Sequence, residues 1–167
     1  MNIEKYPSEW LTKCVSPYDF DVDGDPQELV RDMILTMEEH NGIGLSAPQV
    51  AVDKAVFVFK PQNIPDHDKP IAVINPSIVN VSDGLLEEPE GCLSHPGLYL
   101  MVKRPEAITA QYLDIWGQRR VLYLHGIDAR CFLHEFDHLV GTDFTKRVSK
   151  LRLDRAKKKL KKGKVYG

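Results

Sequence analysis

The chain has 167 residues and a mass of 19.0 kDa, enough for one domain that buries roughly two thirds of the surface its unfolded form exposes. With 43% hydrophobic and 28% charged residues, it has the composition of an ordinary globular protein rather than of a disordered or bilayer-spanning one. Its net charge of −2 conceals an acidic body and a basic end: residues 1–145 hold 11 Lys and Arg against 23 Asp and Glu, whereas residues 146–167 hold 11 against a single acid, Asp154.

The opening residues, MNIEKYPSEW, lack the apolar run of a secretory leader and the Arg/Ser-rich, acid-poor character of a transit peptide. A cytoplasmic location is therefore expected, in a bacterial cell or a phage-infected host, with no membrane contact. Cys14, Cys92 and Cys131 are odd in number and spread along the chain, which argues against a disulfide framework and leaves room for a thiolate ligand. DPQELVRDMILTMEEHNG, from Asp25 to Gly42, predicts a helix. Asp25 is its N-cap, Pro26 its first residue, Leu29, Met33, Ile34 and Met37 its apolar face, and Asn41-Gly42 its stop. AVFVFK (55–60) and IAVINPSIVN (71–80) are strand-like runs bounded by turn residues, and 107–126 reads as a hairpin turning near Gly117. KPQNIPDHDKP, between the first two strands, is a Pro/Asp-rich loop. A second helix is expected from Ile127 to Val140, with Asp128 near its start and Gly141 beyond its end. Helix, strands and helix without βαβ alternation predict an α+β fold, its antiparallel or mixed sheets packed around that second helix.

The second helix carries LHEFDHLVGTDF, Leu133 to Phe144. Residues four apart share a helical face, so His134 and His138 can present their imidazoles to one ion. Glu135 points in a neighbouring direction, where it can reach a water without ligating, as a general base does. A hydrolytic site of this kind needs a third protein ligand and one open position. Thermolysin-type proteases take a downstream glutamate, but no Glu or His follows His138. Metzincin-type proteases extend the motif, but here Gly141 matches and Phe144 stands at the ligand position, with Asp143 one residue off. Cys131 lies seven residues before His138, about 10 Å along a helix axis, too far to share an ion; it reads as a small buried apolar group. Asp137 is expected to pair or cap locally. Cys14 has no partners near it, and His40, His67 and His95 read as surface or loop residues. Cys92 remains, in a structured loop, EEPEGCLSHPG, where Gly91 allows close backbone approach.

Together GIGLSAPQ (42–49), EGCLS (90–94) and HEFDH (134–138) resemble, in order and spacing, the three motifs of the peptide deformylase family. The likeness extends through KRPEAITAQYLDIWG and covers roughly residues 25–145. Ser46 stands where the family usually has alanine, Leu133 where many members have glutamine, and Arg130 at a position that is often apolar. The resemblance implies that Cys92, His134 and His138 hold a metal with a water in the fourth position. The ion would be iron(II), with zinc, nickel or cobalt able to substitute. The reaction implied is hydrolysis of the formyl group of N-formylmethionyl peptides, with Glu135 as general acid/base and the Gln49 side chain and Leu93 backbone N–H as oxyanion donors. Ile43, Leu45, Ile127 and Cys131 match positions lining the methionine pocket, and Gly44 and Gly91 let backbone approach the extended peptide.

KRVSKLRLDRAKKKLKKGK (146–164) has 11 cationic residues in 19, a basic C-terminal helix or tail beyond a catalytic domain of residues 1–145. Such density suits phosphate contact, and the resemblance implies docking to the ribosome. The protein is expected to act as a monomer. Two rival readings remain: a metallopeptidase on the same helix, disfavoured by the missing downstream ligand, and a zinc-stabilised RNA-binding module. The latter would need a fourth ligand and has no use for Glu135.

Overall fold

The structure, a computed structural model, describes residues 1–163; Lys164, the last cation of the basic run, lies outside them. A short helix, α1 (Phe20–Asp23), precedes α2 (Gln27–Glu39). Pro26, expected as the first helical residue, holds the N-cap position instead, with Asp25 just before it accepting from the Gln27 N–H at 2.9 Å; Asn41 ends the turn at φ 56°, as the sequence predicts.

Five strands form one antiparallel sheet in the order β1-β2-β3-β6-β7: β1 (Gly44–Ser46), β2 (Val56–Phe59), β3 (Ile71–Val81), β6 (Ala107–Leu113) and β7 (Arg119–His125). The β6–β7 hairpin turns through Gly117 at φ 78°. The segment between β3 and β6, in which no strand was predicted, is a second, two-stranded sheet: β4 (Leu85–Cys92) with β5 (His95–Pro105). The helix α3 (Ile127–Leu139) carries the histidine motif, and α4 (Lys150–Lys161), capped by Ser149, closes the described chain.

Strand alternation explains the layering. In β2, Phe57 and Phe59 face α3, where Phe57 meets Phe132 edge-on at 4.9 Å between ring centres. Val56 and Val58 face the opposite way, against Val30, Met33 and Met37 of α2. The sheet therefore lies between two helices, and β2 is apolar on both faces. The β4–β5 hairpin brackets α3 from its other side, and a smaller apolar cluster of Leu98, Leu100, Val102 and Phe144 is covered by Leu153, Ala156 and Leu160 of α4. Helix α3 thus sits at the centre of an α+β fold.

Candidate metal centre and active site

The geometry converges on three residues from two elements. Cys92 Sγ and one ring nitrogen each of His134 and His138 lie within 4.8 Å of one another, with Sγ 3.4 Å from His138 Nε2. The histidines reach this point because they are one helical turn apart on α3. Cys92 reaches it because it is the last residue of β4, beside a register shift at Gly91, where the chain reverses through Leu93 and Ser94 into His95. The expected structured loop is thus a strand end held by a ladder, a stiffer mount than a loop.

The surroundings prepare these groups to ligate. His134 Nδ1 lies 2.8 Å from Glu90 Oε1; a carboxylate only accepts, so Nδ1 carries the proton and Nε2 is left for an ion. Burial holds the His138 imidazole well below its ordinary value, hence neutral, the ligating form. Burial raises the Glu90 carboxyl, but hydrogen bonds from Arg104 and His134 outweigh it and bring it to about 2. The Arg104 fork grips Glu90 at 2.7 and 2.9 Å and reaches Asp137 at 2.9 Å, and Arg147 holds Asp137 at 2.6 Å. Arg130 donates to Glu90 at 2.7 Å and to the carbonyls of Val102 and Leu86. Arg130, which stands where the family is often apolar, is therefore a buried member of this network and also lines the adjoining cavity. Asp137 pairs with β5 and with Arg147 rather than capping locally. Neither Glu90 nor Arg104 was singled out from the sequence, although both lie in stretches that carry the resemblance; only the fold brings a position on β5 against α3.

Glu135 is wholly enclosed. Burial first, then the Glu90 charge, push its carboxyl up to about 7, against the lowering pull of His134, and its Oε1 has no hydrogen-bond partner among the described residues. A Cβ on Gly44 would stand 2.5 Å from Glu135 Oε2, so glycine there makes room for this carboxylate as well as for anything in the cavity. Gln49 is held at both ends: Oε1 accepts from the backbone N–H and hydroxyl of Ser46, both at 3.0 Å, while Nε2 donates to Ser94 Oγ at 3.0 Å and faces Cys92 Sγ at 3.5 Å. A cysteine sulfur, two imidazoles and an enclosed, unpartnered carboxyl oxygen suit a bound cation such as zinc or iron(II).

A cavity of about 640 Å³ opens beside this cluster, its wall including Ile43, Gly44, Gly91, Ile127 and Cys131. Ile43 and Ile127 are exposed at its mouth, and Cys131 is buried. Leu45 departs from expectation: wholly buried among the α2-facing residues, its side chain turns away from the cavity because alternation along β1 sends it to the other face. His95 also differs. It is buried, stacked on Tyr6 and 2.9 Å from Asp143. Asp128 does not cap α3; its carboxylate takes the N–H groups of Gln62 and Asn63 and ties the Pro/Asp-rich loop down.

Residues 1–154 match the polypeptide deformylase family. The peptide deformylase of Neisseria gonorrhoeae is 42% identical over 162 residues, covering 97% of this chain and 95% of that protein. Peptide deformylase 1 of a Nostoc species is 40% identical over 144 residues, 86% of this chain and 73% of that protein. Among solved structures, the peptide deformylase of Ehrlichia chaffeensis superposes with a TM-score of 0.86 at 38% identity, covering 98% of this chain and 96% of that one. The enzyme of Synechococcus elongatus in complex with actinonin superposes with a TM-score of 0.85 at 36% identity, covering 97% and 85%. With its motifs, its fold and nearly its whole length in agreement, the chain belongs to the peptide deformylase family.

Proposed function

We propose that this enzyme hydrolyses the formyl group of N-formylmethionyl peptides with an ion held by Cys92, His134 and His138. The family removes N-formyl groups from nascent peptides, and the observation that carries the reading is the convergence of those three ligand atoms beside the enclosed Glu135. The proposed ion is iron(II), with zinc, nickel or cobalt as substitutes compatible with a thiolate–imidazole set. When bound it supplies Lewis acidity, polarising the formyl oxygen and acidifying a water.

The protein's own groups do the rest. A carboxyl poised near neutrality by burial can take the proton of the attacking water and return one to the departing amine, the role assigned to Glu135. Gln49 Nε2, already oriented by Ser46 and Ser94, and the Leu93 backbone N–H donate to the oxygen on which charge gathers. Ile43, Ile127 and Cys131 enclose the methionine side chain, with the Gly44 and Gly91 backbones along the peptide. The enzyme works as a monomer, and its exposed basic helix docks on ribosomal phosphates; this second reading rests on Lys150, Lys158 and Lys161, all exposed on one side of α4.

The test is formate release from formyl-Met-Ala by protein loaded anaerobically with iron(II) or nickel. Glu135→Ala should lower kcat by about 10²-fold or more with metal content retained. A demonstrably loaded wild type that releases no formate sinks the proposal.

A further inference from the structure

Beyond the active-site cavity a second groove, of about 440 Å³, runs between the β4–β5 hairpin and α4. The two share Pro89 and Tyr99 as a common wall. Tyr99 is half exposed, and its ring lies so close over Gly91 that a Cβ there would be 2.7 Å from it. A chain leaving the first cavity past Gly91 therefore meets Tyr99 and then the groove. The apolar part of the groove is Leu100, Met101 and Ala156; its far side is cationic, with Arg152, Arg155 and Lys159.

Helix α4 presents three faces. Leu153, Ala156 and Leu160 bind it to the hairpin. Lys150, Lys158 and Lys161 point outward, and Arg152, Arg155 and Lys159, spaced i, i+3 and i+7, form the third side along the groove. The acid lining the groove is Glu87, already engaged by Arg152 at 2.6 Å, and Arg155 makes no ion pair among the described residues. The groove thus keeps a surplus of positive charge. Arg152 to Lys159 covers about 10 Å of helix axis, the length of about three residues of extended chain.

We propose that this groove seats the downstream part of the formylated peptide and makes the enzyme prefer acidic residues a few positions after the methionine, with Arg155 as the specificity-determining side chain. The inference rests on the deformylase reading. Continuity with the cavity places the same peptide there, and the charge surplus selects its side chains. Because these are exposed charges, the preference is moderate and weakens with salt.

The experiment compares kcat/KM for formyl-Met-Ala-Ser extended by three glutamates, three glutamines or three lysines, in wild type, Arg155→Gln and Arg155→Glu. Each preference is a ratio within one variant, so differences in metal loading or folding divide out. The expected result at low ionic strength is a two- to tenfold advantage, on the order of a few exposed ion pairs, for the glutamate over the glutamine peptide. This ratio should shrink in 0.5 M salt and in Arg155→Gln and invert in Arg155→Glu. Equal rates on the three peptides in wild type, or a preference that survives both salt and Arg155→Glu, overturn the proposal. An α4 that serves RNA instead would give equal rates together with Arg155-dependent retention of a labelled oligoribonucleotide, which also overturns it. Should the loaded protein release formate from none of the peptides, the deformylase reading fails, and fluorescence anisotropy of the deformylated glutamate and glutamine peptides still reads the groove: equal affinities overturn the proposal and an Arg155-dependent preference supports it.

Discussion

Gln49 illustrates how little separates an oriented donor from a loose one. Its carboxamide can point either end at Cys92, and it points the N–H₂ because Ser46 offers Oε1 two donors, a backbone N–H and a hydroxyl. The serine that replaces the family's alanine thus gains a bond, as well as being small enough to fit a wholly buried site. Ser46→Ala removes one of the two bonds, and at about 0.5–1.5 kcal/mol for a typical hydrogen bond kcat should fall roughly two- to tenfold with KM little changed. An unchanged kcat would mean that the backbone N–H alone orients the amide. The three candidate metal ligands and Glu135 were legible at this scale because the proposed chemistry needs those side chains at those spacings. Glu90 and Arg104 were not, since a carboxylate that orients a histidine and a guanidinium that orients the carboxylate have no spacing rule in the chain.

At the scale of elements, α2, α3 and the β6–β7 hairpin follow their sequence signals to within a residue or two in apolar face, turn and stop. The β4–β5 hairpin does not, because Pro89 and Gly91 within β4 and Pro96 and Gly97 at the start of β5 read as loop residues. Helix α4 combines both cases. Its basic character was evident, but its attachment through Leu153, Ala156 and Leu160 to Phe144 and β5 appears only in the fold. This attachment decides how the ribosome reading must be tested. Deleting α4 would uncover an apolar cluster and confound docking with folding. Charge reversal at Lys150, Lys158 and Lys161 leaves the packed face intact. It should reduce co-sedimentation with ribosomes at low salt by at least tenfold, given the dependence of such binding on neutralised phosphates. Equal co-sedimentation of the variant and wild type argues against docking through this face.

For the whole molecule, a buried ionic network joins the two-stranded sheet to the central helix: Glu90 from β4, Arg104 from β5, and Arg130, His134 and Asp137 from α3. It carries a pH signature. Glu90 sits near 2 in the fold against 4.5 ordinarily, burial being outweighed by Arg104 and His134. The Asp143 carboxyl, raised by burial but lowered further by hydrogen bonds from His95 and Thr145, also lies well below its usual range. Groups depressed in the fold contribute stability that is complete above their unfolded values and is lost as pH falls towards the folded ones. The melting temperature of the metal-free protein should therefore drop steadily as pH falls below about 4.5, with Glu90 alone contributing on the order of 3 kcal/mol. A melting temperature that stays level down to pH 3 would contradict this. The described helices include none long and apolar enough to cross a membrane, in keeping with a fold whose apolar residues are used in its own layers.

By itself the sequence determined the α+β class, the main helices and hairpin, the family, and the three metal-binding candidates with their neighbouring carboxylate. Each of these depends on local periodicity or on a chemically constrained motif. Only the tertiary structure decided that Cys92 ends a strand, that Leu45 and His95 turn inward, that Asp128 ties a loop, and that the groove beside α4 continues the active-site cavity. Those outcomes depend on which surfaces meet across distant parts of the chain, where packing and burial override the local pattern.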